Sequence, residues 1–288
     1  MKEQIYIIES QESFCLKHIF ECGQCFRWNI EEDGSYTGVF KNNVCNVKQK
    51  NNKIIFNGIW ENDARKIIYH YFDLERNYES IKEQLSLVDK NVAQSIKYGN
   101  GIRLLNQDLW ETLISFIISA NNNIPRIKKI IENLSRSYGK EIIWNNKKYY
   151  AFPSPKELSV ASILDLRNLG LGFRDKYIYK VTQMINNEEF SLEELKNIAN
   201  VNELRKKLMK LPGVGEKVAD CVMLFSDLKK LEVFPIDVWV RRVMNELYIK
   251  DTNEKNVHNE QIRKLAEQKY KGLAGIAQQY LFYWKREA

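Results

Sequence analysis

The segment from Lys207 to Asp227 reads KLMKLPGVGEKVADCVMLFSD and joins two helical patterns through a short loop of glycine and proline. On each side of the loop, apolar residues recur three or four positions apart, which places them on one face of an α-helix. These residues are Leu204, Leu208 and Leu211 before the loop and Val218, Cys221, Val222 and Phe225 after it. The pattern predicts a helix-hairpin-helix over residues 201–226.

The hairpin loop contains two glycines, Gly213 and Gly215, in the sequence LPGVG. Glycine accepts positive φ angles and has no side chain above the backbone, so the loop amides and the start of the next helix can approach a phosphate closely. Such a clamp would hold a DNA strand without reading its bases, because phosphate contacts carry no sequence information. An ordinary helix-helix turn with the same punctuation is the alternative interpretation.

Lys217 falls in the first turn of the second hairpin helix. The positive end of the helix dipole disfavours an ammonium ion there and favours the free amine that a nucleophile needs. Cys221 follows one turn later on the same face, so the two side chains should border one site. The alternatives are a surface lysine paired with Asp220 and a cysteine that only packs in the core.

A carboxylate follows the hairpin in the segment VFPIDVWVRRV, where Asp237 precedes a helical run from Val238 to Leu247. Aspartate at such a junction commonly caps the helix, because its carboxylate accepts a hydrogen bond from a backbone amide of the first turn. A cap also holds the carboxylate at a defined angle, which is compatible with catalysis. We expect residues 234–248 to carry the catalytic aspartate, with capping alone as the alternative.

The predicted fold class is α+β, with a small antiparallel sheet domain before a larger helical portion. Short strand-like runs, separated by turn residues that tolerate positive φ, place the sheet and its flanking helices in residues 1–100. These runs are Phe26–Trp28, Tyr36–Phe40, Val44–Val47 and Lys53–Phe56. Apolar spacing over residues 101–288 is helical. The clearest helical segments there are Leu109–Ile118, Ile124–Tyr138, Arg174–Ile185 and Ile262–Tyr270.

Composition favours a polyanionic partner and argues against several other classes of protein. The 288 residues include 44 Lys and Arg against 37 Asp and Glu, a net charge of +7. No run approaches the roughly 20 apolar residues that span a bilayer. The five cysteines are scattered and the first ten residues lack a signal-peptide pattern, so we expect a protein that is not secreted. The dispersed positions of His18, His70 and His258 argue against a zinc site.

LPGVGEKVAD with PIDV downstream resembles the helix-hairpin-helix DNA glycosylase superfamily, which includes endonuclease III and adenine glycosylase. Lys217 matches its bifunctional branch, whose members couple base excision to strand cleavage. Four further segments resemble 8-oxoguanine DNA glycosylases in particular and extend the resemblance over nearly the whole chain. They are CGQCFRW at Cys22–Trp28, SANNNIPRI at Ser119–Ile127, LGLGFRDKY at Leu169–Tyr177 and AGIAQQYLF at Ala274–Phe282.

The resemblance implies a pocket for a base that has been flipped out of the DNA. The carbonyl of Gly23 would accept the N7 hydrogen that 8-oxoguanine has and guanine lacks. Phe282, on a C-terminal pocket helix over residues 272–286, and Cys221 would sandwich the base, while Gln278 would bond its Watson–Crick edge. Without the resemblance, these residues would be interpreted as a turn glycine, a core aromatic, a packed cysteine and a surface amide.

The resemblance also implies a reaction and a set of DNA contacts. Lys217 would attack C1′ of the deoxyribose and form a Schiff base that permits β-elimination, while Asp237 would stabilise positive charge on the sugar. The partner would be double-stranded DNA containing 8-oxoguanine, with cytosine preferred opposite the lesion. The contact residues are Asn121 in the gap left by the base, Arg126 and Arg174 on the orphaned cytosine, and Phe173 as a stacking wedge.

The chain departs from its relatives at several positions. No cysteine follows Cys221, whereas endonuclease III and adenine glycosylase carry four there for an iron-sulfur cluster, so we expect no cluster and no metal. Phe173 stands where family members commonly have tyrosine, and Trp239 stands where the eukaryotic branch usually has histidine near the lesion's phosphate. Both changes concern pocket detail and opposite-base selection rather than the type of reaction.

Other expectations concern the state and place of the protein. We expect a monomer in the bacterial cytoplasm, associated with the nucleoid, or in the nucleus of a eukaryote. The hairpin is compatible with a bound monovalent ion. Two alternative functions stay open: a glycosylase of the same fold for another damaged purine, against which Lys217 counts, and a non-catalytic helix-hairpin-helix protein that only binds DNA.

Overall fold

The computed structural model of the chain describes residues 5–10, 13–59, 64–253 and 256–287. Its N-terminal part contains an antiparallel sheet of five strands. The strands are β1 (Ile5–Glu9), β2 (Trp28–Ile30), β3 (Tyr36–Phe40), β4 (Asn43–Lys50) and β5 (Lys53–Asn57). Their order across the sheet is β1-β5-β4-β3-β2, so each strand except β1 pairs with a neighbour in sequence.

One face of the sheet is apolar, because the register of the strands places their inward-facing apolar side chains next to one another. Phe56 pairs with Val47, and Val47 pairs with Tyr36 on the next strand, so the three side chains form one row. This row is buried in a cluster with Phe20 and Phe72, which approach within 6.0 Å of each other in an edge-to-face contact. The sheet therefore has a core of its own.

Most of the remaining chain is helical, and the predicted α+β class is confirmed. The helices are α1 (Leu16–Phe20), α2 (Ala64–Tyr71), α3 (Tyr78–Val88), α4 (Lys90–Tyr98), α5 (Leu109–Ser119), α6 (Ile124–Tyr138), α7 (Pro155–Leu158), α8 (Ile163–Leu166), α9 (Asp175–Asn186), α10 (Leu192–Lys196), α11 (Val201–Leu208), α12 (Glu216–Phe225), α13 (Val238–Met244), α14 (Asn259–Tyr270) and α15 (Ala274–Glu287). Irregular helical turns cover Arg167–Leu171, Gly172–Arg174, Asn245–Ile249 and Lys271–Leu273.

The helices predicted from apolar spacing correspond to α5, α6, α9 and α14, with ends that differ by at most three residues. The strand predicted at Phe26–Trp28 was wrong, because pairing begins at Trp28. Phe26 instead packs edge-to-face on Phe116 of α5, 5.6 Å away. Strand β1 was not predicted, because IYIIE is almost continuously apolar and lacks the alternation that marks a half-buried strand.

A two-stranded hairpin interrupts the helical portion and was also missed. Strands β6 (Glu141–Trp144) and β7 (Lys147–Tyr150) pair antiparallel around Asn145 and Asn146, whose φ angles are 47° and 58°. Two consecutive asparagines at positive φ are typical of a type I′ turn. Trp144 packs against Val39 and Val44 of the N-terminal sheet, so the hairpin is a contact between the two parts of the chain.

The helical core converges on α5, whose residues from Leu109 to Ile118 are buried apart from Glu111. Helix α12 packs beside α5, and α15 packs on α13 and α4. Helices α3 and α4 contribute to this same core rather than to the core of the sheet. The division between domains at residue 100 stays a prediction. Within the described residues, no helix combines the length and apolarity needed to cross a membrane.

Candidate active site

Lys217 is the second residue of α12, which begins directly after Gly215 in the hairpin loop. Its Nζ lies 3.5 Å from Ser119 Oγ at the end of α5 and 5.2 Å from the centroid of the Phe116 ring. The aromatic face and the hydroxyl hold the amine at the end of a buried helix. Neither Ser119 nor Phe116 was assigned a role from sequence, although Ser119 lies in the quoted segment SANNNIPRI.

Cys221 lies one turn beyond Lys217 on α12, as helical spacing predicts, and its side chain is buried. Burial raises the pKa of its thiol to about 11, against a smaller opposing effect of Lys217. The thiol is therefore neutral near pH 7, so Cys221 packs as a small apolar group and does not compete with the amine as a nucleophile.

Asp237 caps α13, which confirms the capping prediction. Its Oδ1 accepts a hydrogen bond of 2.7 Å from the backbone amide of Val240. The cap fixes the rotation of the carboxylate, because one oxygen is held against the helix terminus. The predicted helix after it is shorter than expected, since the regular turns end at Met244 and a wider turn follows over Asn245–Ile249.

A cavity of about 50 Å³ brings the predicted catalytic and base-binding residues together. It lies where α12 and α15 meet the turn after α1. Its lining consists of Cys22, Gly23, Phe116, Lys217, Cys221, Phe225, Pro235, Asp237, Gln278, Gln279 and Phe282. This lining combines one amine, one carboxylate, two amides and three aromatic rings around one small cavity.

Gln278 is buried, and its Oε1 has no hydrogen-bond partner among the described residues. A buried amide oxygen without a partner costs free energy, about 1–3 kcal/mol for a neutral group. Its position in the cavity lining means that a bound molecule with a donor group could satisfy it. The arrangement is that of a site with an open hydrogen-bonding position.

Hydrogen bonds of the Gln24 side chain hold the turn that carries Gly23. Gln24 Nε2 donates to the carbonyls of Ile19 and Arg103 at 2.8 Å each, and its Oε1 accepts from the amide of Leu105 at 2.8 Å. Gly23 itself has a φ of 84°, a backbone conformation that favours glycine. The peptide that presents the Gly23 carbonyl therefore has few ways to move.

Helix α15 holds the same turn from the other side, through two residues that sequence reasoning missed. Gln279 Nε2 donates to the carbonyl of Cys22, and Arg286 Nη2 donates to the carbonyl of Glu21. Gln279, Phe282 and Arg286 are spaced three and four residues apart, so they lie on one face of α15. That spacing was visible in the sequence, but nothing local identified the carbonyls they bond.

The predicted DNA-contacting residues form a second group around the end of α5 and the turn before α9. Asn121 is exposed and has a φ of 51°, and Phe173 is 59% exposed. Arg126 is exposed and donates one hydrogen bond of 3.3 Å to the Gly170 carbonyl. These three side chains therefore face solvent next to the cavity-bearing core.

Arg174 differs from the other members of this group because its guanidinium is buried. Nε donates to the Ala120 carbonyl at 3.0 Å and Nη2 to the Asn121 carbonyl at 2.8 Å, while the group stacks over Phe173 at 4.3 Å. Arg174 is therefore not a solvent-exposed arginine on a helix surface. Through these hydrogen bonds, Arg174 fixes the backbone that carries Asn121.

The two hairpin glycines play different roles. Gly213 has a φ of 81°, and a β-carbon there would lie 2.9 Å from the ring of Tyr177. Gly215 has a φ of −92°, so it does not use the positive φ that glycine allows. A β-carbon on Gly215 would meet no atom within 4 Å, which means that its surface is open.

Potential metal ligands are not clustered in the part of the chain that the structure describes. No group of three His, Cys, Asp or Glu side chains there is arranged to hold an ion. Cys22 and Cys25 are both buried, and burial raises the pKa of Cys22 to about 11 and that of Cys25 well above its usual value. Their thiols are therefore neutral near pH 7.

Comparison with known proteins identifies the family. Residues 6–113 match the 8-oxoguanine DNA glycosylase N-terminal domain, and residues 114–270 match the HhH-GPD superfamily of base excision DNA repair proteins. The chain is similar to a probable N-glycosylase/DNA lyase of Methanothermobacter thermautotrophicus, with 32% identity over 78% of this chain and 75% of that protein. It is also similar to the N-glycosylase/DNA lyase of Saccharomyces cerevisiae, with 29% identity over 95% of this chain and 84% of the relative.

A solved structure agrees with these matches. The Clostridium acetobutylicum 8-oxoguanine glycosylase/lyase, in complex with double-stranded DNA containing cytosine opposite 8-oxoguanine, superposes with a TM-score of 0.93 at 42% identity. The likeness covers 99% of this chain and 97% of that one. With both family domains matched in order along nearly the whole sequence, the chain belongs to the 8-oxoguanine DNA glycosylase family of the helix-hairpin-helix superfamily of base excision repair proteins.

Proposed function

We propose that this protein excises 8-oxoguanine from double-stranded DNA and then cleaves the strand, with Lys217 as nucleophile and Asp237 as its carboxylate partner. The observation that carries the proposal is the single cavity lined by Lys217, Asp237, Gly23, Gln278 and Phe282. Family membership supports the same reaction, since the relatives are named N-glycosylase/DNA lyases.

The proposed chemistry begins with attack of the Lys217 amine on C1′ of the deoxyribose. The bond from C1′ to the base breaks, and its electron pair leaves with the base. The C1′–O4′ bond then breaks, so that the sugar ring opens, O4′ takes a proton and the nitrogen becomes a Schiff base with C1′. The Schiff base allows a proton to be lost from C2′ and the 3′ phosphate to leave by β-elimination. Asp237 stabilises the positive charge that develops on the sugar, and the helix cap holds its carboxylate in place for this task.

Selection of the lesion is proposed to depend on the Gly23 carbonyl. 8-Oxoguanine carries a hydrogen on N7 that this carbonyl can accept, whereas guanine would oppose a lone pair to the carbonyl oxygen. Gln278, whose Oε1 has no partner among the described residues, is proposed to bond the Watson–Crick edge, and Phe282 and Cys221 are proposed to stack on the two faces of the base. The rigid support of the turn by Gln24 favours such discrimination, since a mobile carbonyl could turn away from guanine.

The DNA is proposed to bind across the hairpin and the exposed group beside the cavity. Gly213 and Gly215 allow the hairpin amides to approach a phosphate, and Asn121 fills the gap left by the base. Arg126 and Arg174 donate to the orphaned cytosine, which for Arg174 requires that it release its backbone partners. We further propose that the enzyme acts as a monomer, without a metal or an iron-sulfur cluster, in the compartment that holds the DNA.

The test uses the full chain and a duplex with one 8-oxoguanine, treated with borohydride to trap a Schiff base. The wild-type protein should release the base, nick the strand and form a covalent adduct. Lys217→Gln should lose all three while still binding the duplex, and the exposed Lys264→Gln variant on α14 should match the wild type. A borohydride-stable adduct with Lys217→Gln would show that the nucleophile is misassigned.

A second duplex, tested in parallel with the 8-oxoguanine duplex, separates the alternatives. A duplex with an alkylated purine should be left intact, because excision of such bases by this fold usually relies on activated water rather than a lysine. Release of the alkylated base in preference to 8-oxoguanine would replace the proposed substrate. Binding of all duplexes without any product would instead favour a non-catalytic DNA-binding protein.

A further inference from the structure

We propose that Arg286 is a positioning residue that locks the lesion-reading turn at Gly23 and the Phe282 ring into one unit. The inference rests on the proposed function, because it concerns how that site recognises its base. Arg286 is not part of the cavity lining and so acts through its two neighbours.

The first contact of Arg286 is with the turn. Nη2 donates to the carbonyl of Glu21, two residues before Gly23, across a separation of 265 residues in sequence. Nη1 lies on Gly23 itself, since a β-carbon built there would be 3.2 Å from this nitrogen. The guanidinium therefore both bonds the start of the turn and covers the side of Gly23 where any other residue would carry a side chain.

The second contact is with the aromatic ring proposed to stack on the base. The guanidinium carbon of Arg286 lies 5.2 Å from the centroid of the Phe282 ring, within the range of a cation–π contact. Phe282 Cε1 in turn lies 3.3 Å from the position of a β-carbon on Gly23. Ring, turn and guanidinium therefore meet at one point, directly behind the cavity.

The geometry needs an arginine rather than any cation. A guanidinium is a rigid planar fork, so bonding Glu21 with one arm fixes the direction of the other arm and of the plane over Phe282. Nε is held as well, by a bond of 2.9 Å to Glu287 Oε1. Nη1 is buried without a hydrogen-bond partner among the described residues. An ammonium could satisfy one of these contacts but not orient both neighbours.

This role predicts a separation between the two steps of the reaction. Arg286 supports the surfaces that would touch the base, whereas Lys217 is held by a different pair of residues, Ser119 and Phe116. Base release should depend on Arg286, because it requires the base to be held between the Gly23 carbonyl and Phe282. Cleavage at an abasic site should not, because that substrate has no base to hold.

The experiment compares Arg286→Gln and Arg286→Lys with Lys285→Gln on the full chain. Lys285 is the adjacent cation on α15 and pairs with Glu246 at 2.6 Å, away from the turn. Each protein is assayed for single-turnover release of 8-oxoguanine opposite cytosine and for strand cleavage of a duplex with a preformed abasic site. The dissociation constants for lesion and undamaged duplexes are measured in the Lys217→Gln background.

Arg286→Gln should slow base release by about tenfold or more, the effect expected from losing one hydrogen bond of a charged donor, and reduce the preference for lesion over undamaged duplex. Its abasic-site cleavage should stay within about twofold of the wild type. The rate of base release by Arg286→Lys should fall between those of Arg286→Gln and the wild type. Lys285→Gln should match the wild type in both assays. If Arg286→Gln does not fold, the inference is tested by Arg286→Lys, which should also lose base release while keeping abasic-site cleavage.

Two results would overturn the inference. Wild-type rates on both substrates would mean that the contacts of Arg286 do not matter for the base, and equal losses on both would mean a general structural role. A wild-type protein that cleaves abasic sites but releases no 8-oxoguanine would instead overturn the proposed substrate, whatever the variants do.

Discussion

At the scale of the residue, Asp237 combines a structural task with a proposed chemical one. Its Oδ1 caps α13 through the amide of Val240, and the same side chain lines the cavity with Lys217. Because one carboxylate performs both tasks, a single substitution changes stability and rate together. Two substitutions that differ in capping ability can separate them.

Asp237→Asn should slow base release by orders of magnitude and leave stability nearly unchanged, because asparagine caps helices about as well as aspartate but carries no charge. Asp237→Ala should slow the reaction similarly and also lower the free energy of unfolding by about 1 kcal/mol. Single-turnover rates and denaturant titration give the two quantities. A near-normal rate in the asparagine variant would leave Asp237 with its cap alone.

At the scale of the element, the hairpin between α11 and α12 is the clearest case of a local sequence with two separable functions. Gly213 provides the backbone conformation and the close approach to Tyr177, whereas Gly215 provides an open surface. The first is a requirement of folding, and the second is a requirement of approach by a phosphate. Alanine at each position therefore forms a matched pair of variants.

Gly213→Ala should lower the free energy of unfolding by about 1–2 kcal/mol for the positive φ, and further for the contact with Tyr177. Gly215→Ala should leave stability unchanged and weaken binding to lesion and undamaged duplexes by the same factor, because phosphate contacts do not depend on sequence. Thermal unfolding and duplex titrations at one salt concentration test both. Unchanged DNA affinity in Gly215→Ala would remove the phosphate clamp from this loop.

Elements also explain why Lys217 is supported from a distant part of the chain. Helix α5 is buried and runs beside α12, and its C-terminal end delivers Ser119 and Phe116 to the amine. Phe116 is itself stacked on Phe225, with centroids 5.5 Å apart. The nucleophile is therefore positioned by helix packing rather than by its own segment alone.

At the scale of the whole molecule, recognition of the opposite base depends on two arginines in different states. Arg126 is exposed with one long hydrogen bond, and Arg174 is buried among the carbonyls of Ala120 and Asn121. Arg126 could contact DNA without losing buried contacts, whereas Arg174 would first have to release its backbone partners. The two arginines should therefore respond differently to removal.

Wild-type protein should release 8-oxoguanine fastest opposite cytosine, by about tenfold or more over adenine, since each mismatched contact costs about 1–3 kcal/mol. Arg126→Ala should flatten this preference without changing the free energy of unfolding. Arg174→Ala should lower that free energy by about 1–3 kcal/mol, because it removes a buried guanidinium that donates to two backbone carbonyls. Single-turnover rates with each of the four opposite bases test the preference, and equal wild-type rates would contradict the cytosine-reading role.

Much of the molecule could be predicted from short-range patterns. The fold class, the hairpin, the cap at Asp237 and the boundaries of α5, α6, α9 and α14 follow from apolar spacing, glycine and proline punctuation and capping residues. These signals are local, because a helix bonds to itself within four residues and its buried face repeats every turn. The residues lining the cavity were predicted from the resemblance to a family rather than from periodicity.

Long-range packing determined the rest. Pairing of β1 with β5, burial of Arg174 and attachment of Gln279 and Arg286 to the turn at Gly23 all join segments that are distant in sequence. The three side chains among these features, Arg174, Gln279 and Arg286, all donate to backbone carbonyls. Every residue has a carbonyl, so such bonds leave no pattern in composition or spacing, and only the packing of α15 and α5 against their neighbours decides which carbonyl is met.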